Sequence, residues 1–100
     1  MDKYCVMIPT EVKGMIRGIY ADICDRSLDN TVAEKVIGAI EKAILSLEYM
    51  PYRGTELNKG EHKGKKYRRL VVKKHIIVYR VFEETKQVII VFVKSEKMNI

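Results

Sequence analysis

The chain has no tryptophan, only two cysteines and only two prolines among its 100 residues. Cys5 and Cys24 form no CxxC spacing and have no histidine beside them, so neither a disulfide framework nor a cysteine-based metal site is indicated. Both are expected to be buried free thiols. No apolar run approaches the roughly 18 to 20 residues of a membrane helix. The start, MDKYCVMIPTEV, lacks the basic region and long apolar segment of a secretory signal. A soluble, cytoplasmic protein is therefore expected. A P-loop, a nucleophile elbow and a metal-ligand cluster are also missing. The chain is accordingly read as needing no metal and no cofactor.

What is present suits one globular domain over residues 1–100. The hydrophobic fraction of 47% with 32% charged residues excludes global disorder, and this length supports a single core. The net charge of +6 is unevenly placed. Residues 1–52 hold 6 Lys+Arg and 8 Asp+Glu (−2), whereas residues 53–100 hold 13 and 5 (+8). A localised basic surface implies a polyanionic partner, either nucleic acid or an acidic protein segment.

Tyr4 to Ile8 reads as a short strand ended by Pro9. Thr10 is the expected cap of a helix whose apolar face is Val12, Ile16, Tyr20 and Cys24, with Met15, Ile19 and Ile23 beside them. Gly14 and Gly18, four apart, suggest close approach of a neighbouring helix. Asp25 to Asn30 breaks the pattern. Thr31 with Glu34 then forms a T-x-x-E capping box for a second helix with a stripe of Val32, Val36, Ile37, Ile40, Ala43, Ile44 and Leu47, ending at Met50-Pro51. Pro51 to Lys66, with three glycines and no hydrophobic period, reads as a loop. Three strand-like runs follow, KYRRLVVK, HIIVYRVFEE and VIIVFVK, with Lys73-Lys74 as one tight turn and Glu84 to Gln87 as another. The expected class is α+β: an N-terminal strand, an antiparallel helical hairpin, then a three-stranded antiparallel meander forming one sheet.

Half of the residues in KGKKYRRLVVKKHIIVYR, Lys63 to Arg80, are Lys, Arg or His. Strand alternation puts Leu70 and Val72 on one face, and Tyr67, Arg69, Val71 and Lys73 on the other. With Leu70 and Val72 against the helices, the second face is open to a partner. Phosphates attract its cations, and Tyr67 offers a ring for base stacking. A solvated edge strand guarded by charge is the bland alternative. His62 and His75 have the natural pKa for acid–base work, but their turn and loop positions suggest exposed residues. Glu61 beside His62 is too weak a signal for a dyad.

IEKAILSLEYMPYRG, followed by KKYRRLVVKKHIIVYRVFEETKQVIIV, resembles the RelE/ParE superfamily of toxins from bacterial type II toxin–antitoxin systems. YRVFEE, Tyr79 to Glu84, is the most specific piece. The resemblance implies a toxin neutralised by a cognate antitoxin. RelE-like members cleave messenger RNA in the ribosome without metal; ParE-like members inhibit DNA gyrase and are not nucleases. In the RelE-like reading Arg69 and Lys97 neutralise the scissile phosphate, and Tyr67 stacks on a base or shares a proton. Lys63, Lys65, Lys66, Arg68 and Lys73 grip RNA. The position of a functional Arg in ribonuclease relatives falls at Ile76. Where relatives carry an aromatic residue or His, then Gly and two Arg, this chain reads SEKMN, with Ser95, Lys97 and Met98 at the matching positions. The antitoxin is expected to be acidic where it meets residues 63–80, and the helical hairpin to offer a groove for an amphipathic antitoxin helix.

Overall fold

The computed structural model describes residues 3–27, 29–57 and 66–97. The elements are β1 (Cys5–Met7), α1 (Thr10–Arg26), α2 (Asn30–Ser46), β2 (Thr55–Leu57), β3 (Tyr67–Val72), β4 (His75–Phe82) and β5 (Gln87–Ser95). The α+β class holds, with the N-terminal strand, two helices and then the meander joined in one sheet of order β1-β5-β4-β3-β2. β1 runs parallel to β5, and the other neighbours are antiparallel. Thr55–Leu57, read from the sequence as loop, is the edge strand paired with Tyr67–Arg69. Three residues are too few for alternation to register.

The helix starts differ from the sequence reading. Thr10 is the first residue of α1, and the Pro9 carbonyl accepts from the amides of Val12 and Lys13 at 3.0 and 3.1 Å. At α2 the cap is Asp29, whose Oδ1 accepts from the Thr31 amide at 2.8 Å. Thr31 lies inside the helix, so the T-x-x-E box is set aside. The Asp29 carboxylate, two residues earlier, satisfies the orphan amide of Thr31 instead.

Val12, Ile40, Ala43, Ile44 and Leu47 pack with Ile77, Tyr79, Val88, Ile90 and Val93 in the core between the helices and one sheet face. Leu70 and Val72 are half-buried against it, as the alternation of β3 requires. Val32, assigned to the stripe, is exposed, and so is Met15. Gly14 and Gly18 face open space: an added Cβ at Gly14 would come no nearer than 3.9 Å to Arg17, and one at Gly18 would meet nothing within 4 Å. Close helix approach is thus not their role. Cys5 is exposed and Cys24 half-buried; both are free. Cys5 misses burial because it alternates with Val6, which takes the core side of β1.

A candidate anion-binding face of the sheet

Register decides which side chains share the open face. Tyr67 stands opposite Arg80, Arg69 opposite Val78, and Val71 opposite Ile76. On the other side of β4, Ile76 faces Lys94, Val78 faces Phe92 and Arg80 faces Ile89, with a bulge between Val78 and Tyr79. β2 adds Thr55 beside Arg69 and Leu57 beside Tyr67. Cations at Arg69, Arg80 and Lys94 therefore alternate with aromatic and branched side chains. No Asp or Glu occupies this face among the described strand residues.

The cations are held in different ways. Arg69 is exposed. The Arg80 guanidinium lies between two rings, 5.4 Å from the Tyr67 centre and 4.8 Å from the Phe82 centre. The Lys94 ammonium is 4.7 Å from the Phe92 centre. Ring quadrupoles attract cations without neutralising them, so the two rings leave the positive charge of Arg80 in place. Arg80 and Lys94 were not singled out by the sequence reading. Period-two alternation places Arg80 correctly, but only the pairing of β3 with β4 brings it opposite Tyr67.

Other expected site residues are dispersed. Arg68 points to the opposite face, where its Nη1 donates to the carbonyls of Gly54 at 2.8 Å and Tyr52 at 3.3 Å, and its guanidinium stacks on Tyr52. It braces the β2 edge. Lys73 and Lys74 form the β3–β4 turn with φ of 49° and 62°. Lys97 follows β5 at that same end, where the Glu96 amide donates to the Lys74 carbonyl. From the His75–Ser95 pair to Arg80 is five residues of β4, about 17 Å. Lys97 is thus separated from Tyr67, and the trio Arg69, Tyr67 and Lys97 does not form one centre. Lys66 is exposed next to β3. Lys63, Lys65, His62, Glu61 and Met98 lie outside the described residues. His75 is buried, contrary to its reading as an exposed turn residue. Its Nδ1 lies 2.8 Å from the Lys73 carbonyl, so the ring staples the tight turn.

A separate cluster joins the far end of the sheet to the chain after α2. Glu83 accepts from the Tyr4 hydroxyl at 2.8 and 2.9 Å, from the Tyr52 hydroxyl and from the Lys86 ammonium. Lys86 first, then Tyr52 and Tyr4, hold the Glu83 carboxyl down at about 2. The same carboxylate, then burial, pushes the Tyr52 hydroxyl up to about 12. The helical layer offers two apolar grooves. One runs between α1 and α2, lined by Ile8, Ile16, Ile44 and Leu45 with Lys13, Arg17 and Glu41 at its rim. The other runs between α1 and β5, lined by Met15, Gly18, Ile19, Phe92 and Val93.

A family model described as the ParE toxin of the type II toxin–antitoxin system parDE matches residues 6–100. Three solved structures share the fold. The toxin–antitoxin complex RelBE2 of Mycobacterium tuberculosis has 19% identity and a TM-score of 0.68, covering 93% of this chain and 98% of that one. The chromosomal ParDE system of P. aeruginosa has 15% identity and a TM-score of 0.72, with 93% and 96% covered. A double mutant of E. coli RelE in the free state has 15% identity and a TM-score of 0.62, with 95% and 85% covered. Comparison with the curated proteins returned no match.

Proposed function

The chain belongs to the ParE toxin family of type II toxin–antitoxin systems, and from its open sheet face we propose that it acts within that fold as a RelE-like toxin, entering the translating ribosome with this face and cleaving messenger RNA. The observation that carries this reading is the face itself: Arg69, Arg80 and Lys94 interleaved with rings, with no carboxylate among its described strand residues. Such a surface suits a phosphate backbone with exposed bases. Arg69 holds the scissile phosphate and Tyr67 serves the proton transfer. Lys97, remote from Tyr67, joins Lys73 and Lys66 in gripping RNA outside the centre. The relevant partner for neutralisation is an antitoxin, acidic over the basic face, with an amphipathic helix seated in a groove of the helical layer.

Primer extension on a message in a cell-free translation reaction tests the reading. New 5′ ends confined to translated message support it, and Arg69→Ala should lower their yield roughly 10²- to 10³-fold, the scale of removing one charge-stabilising donor. A second reading, non-catalytic inhibition of DNA gyrase, is favoured by one observation: no carboxylate or imidazole stands on the open face among its described strand residues to act as general base. Intact message together with loss of supercoiling by gyrase would replace the first reading with the second.

A further inference from the structure

Arg80 is central in the sheet, opposite Tyr67 on one side and Ile89 on the other. Its guanidinium is fixed in direction by the rings of Tyr67 and Phe82. Its Nε is buried and has no hydrogen-bond partner among the described residues. A charged donor left dry costs more than an ordinary hydrogen bond returns, and ring contacts offset only part of that cost. The two terminal nitrogens are not buried in this way, and the Arg80 side chain makes no hydrogen bond or ion pair with the described residues. The side chain is thus a planar fork, anchored at its base and open at its tip, on a face that carries no carboxylate among its described strand residues.

We propose that Arg80 is a preset receptor for one phosphodiester oxyanion of single-stranded RNA, bound end-on through its two terminal nitrogens. Side-on binding would need Nε, which is buried. An end-on fork matches two phosphate oxygens with parallel N–H donors, and a guanidinium already immobilised loses little freedom when it binds. Arg69, opposite Val78, is the diagonal neighbour of Arg80, roughly 7–8 Å away between backbone positions. The two arginines can therefore hold successive phosphates of one strand while the exposed bases lie over the sheet. This inference rests on reading the open face as the surface that meets RNA, but it does not require that the RNA be cut.

The test is a titration of the purified chain with a short oligouridylate, followed by fluorescence anisotropy and by the Arg80 Nε–Hε resonance. Arg80→Gln and Arg80→Lys should both weaken binding, by roughly 10- to 100-fold, because lysine keeps the charge and loses the fork. Arg17→Gln, which removes the same charge from α1, should leave affinity about unchanged. In the unaltered chain the Arg80 resonance should shift as oligouridylate binds. Wild-type affinity in Arg80→Lys overturns the proposal, as does an Arg80→Gln affinity equal to that of Arg17→Gln. Should either Arg80 variant fail to fold, the unaltered chain still decides: binding with no movement of the Arg80 resonance overturns it. Oligouridylate held through Arg80 while translated message stays intact would sink the ribonuclease reading and leave this one standing; cleavage with Arg80 indifferent would do the reverse.

Discussion

A Cβ at Gly54 would sit 2.6 Å from the Tyr79 hydroxyl and 2.7 Å from the Arg69 carbonyl oxygen. The Gly54 amide donates to that hydroxyl at 2.9 Å in the buried space beside β2. Backbone on one side and a buried ring on the other leave nothing flexible to yield. Gly54→Ala is therefore expected to cost about 1–3 kcal/mol in urea unfolding and to shift the strand that carries Arg69; a stability equal to wild type would refute the contact. Glu83 gives a pH-dependent case. Its folded pKa, about 2, lies below the ordinary 4.5, so its contribution is present above 4.5 and is lost as pH falls through 2. Tyr52 has the opposite sign: raised from 10.0 to about 12, it stabilises below 10 and stops doing so as pH rises through 12. The urea midpoint should fall in both windows. Glu83→Gln should flatten the acid one, and an unchanged acid slope in that variant would show that the cluster is not its source. None of this cluster was legible in the sequence, because Tyr4 and Glu83 are 79 residues apart and meet only through the parallel pairing of β1 with β5. Arg69 and Tyr67 were legible, since alternation within one strand suffices. Arg80 needed the register between two strands.

At the scale of elements, the turn between β3 and β4 carries a contradiction between composition and geometry. Lys73 and Lys74 both adopt positive φ, as the two-residue hairpin requires, yet neither is a residue that favours it. Replacing them by Asn and Gly should raise stability by roughly 1 kcal/mol or more, measured by urea unfolding; destabilisation would mean that the Lys73 carbonyl contact with His75 depends on the native turn residues. The cap of α2 offers a second check. Asp29→Ala should lower the melting temperature by about 5 °C, while Thr31→Ala should change it little; the reverse order would restore the T-x-x-E box. The helices, their hairpin and the three long strands were legible because each spans several repeats of its own period. Caps were misplaced by a residue or two because Thr10, Asp29 and Thr31 are all competent capping types. β2 was missed because three residues in a glycine-containing segment become a strand only by pairing with Tyr67–Arg69.

The whole molecule is polarised. Its acidic excess lies in residues 1–52, which include both helices, and its basic excess in residues 53–100, which include four of the sheet's strands. Sheet pleating then sorts the cations again, since Arg68 turns inward to carbonyl groups while Arg69, Arg80 and Lys94 remain on the open side. Net charge alone would attract a polyanion to any basic part of the surface, with screening at a Debye length of about 8 Å in physiological salt. A sorted face makes a sharper demand, because each phosphate contact releases bound counterions in proportion to the cations engaged. Joint replacement of Arg69, Arg80 and Lys94 by glutamine should therefore make the slope of log affinity against log salt for single-stranded RNA shallower by about 2, from roughly 0.7 per phosphate contact. Replacing Lys13, Lys42 and Arg17 on the helices removes equal charge and should leave the slope as it was. Equal changes in the two sets, measured by anisotropy across a salt series, would mean that RNA meets the molecule as a diffuse positive charge and not through the open face of its sheet.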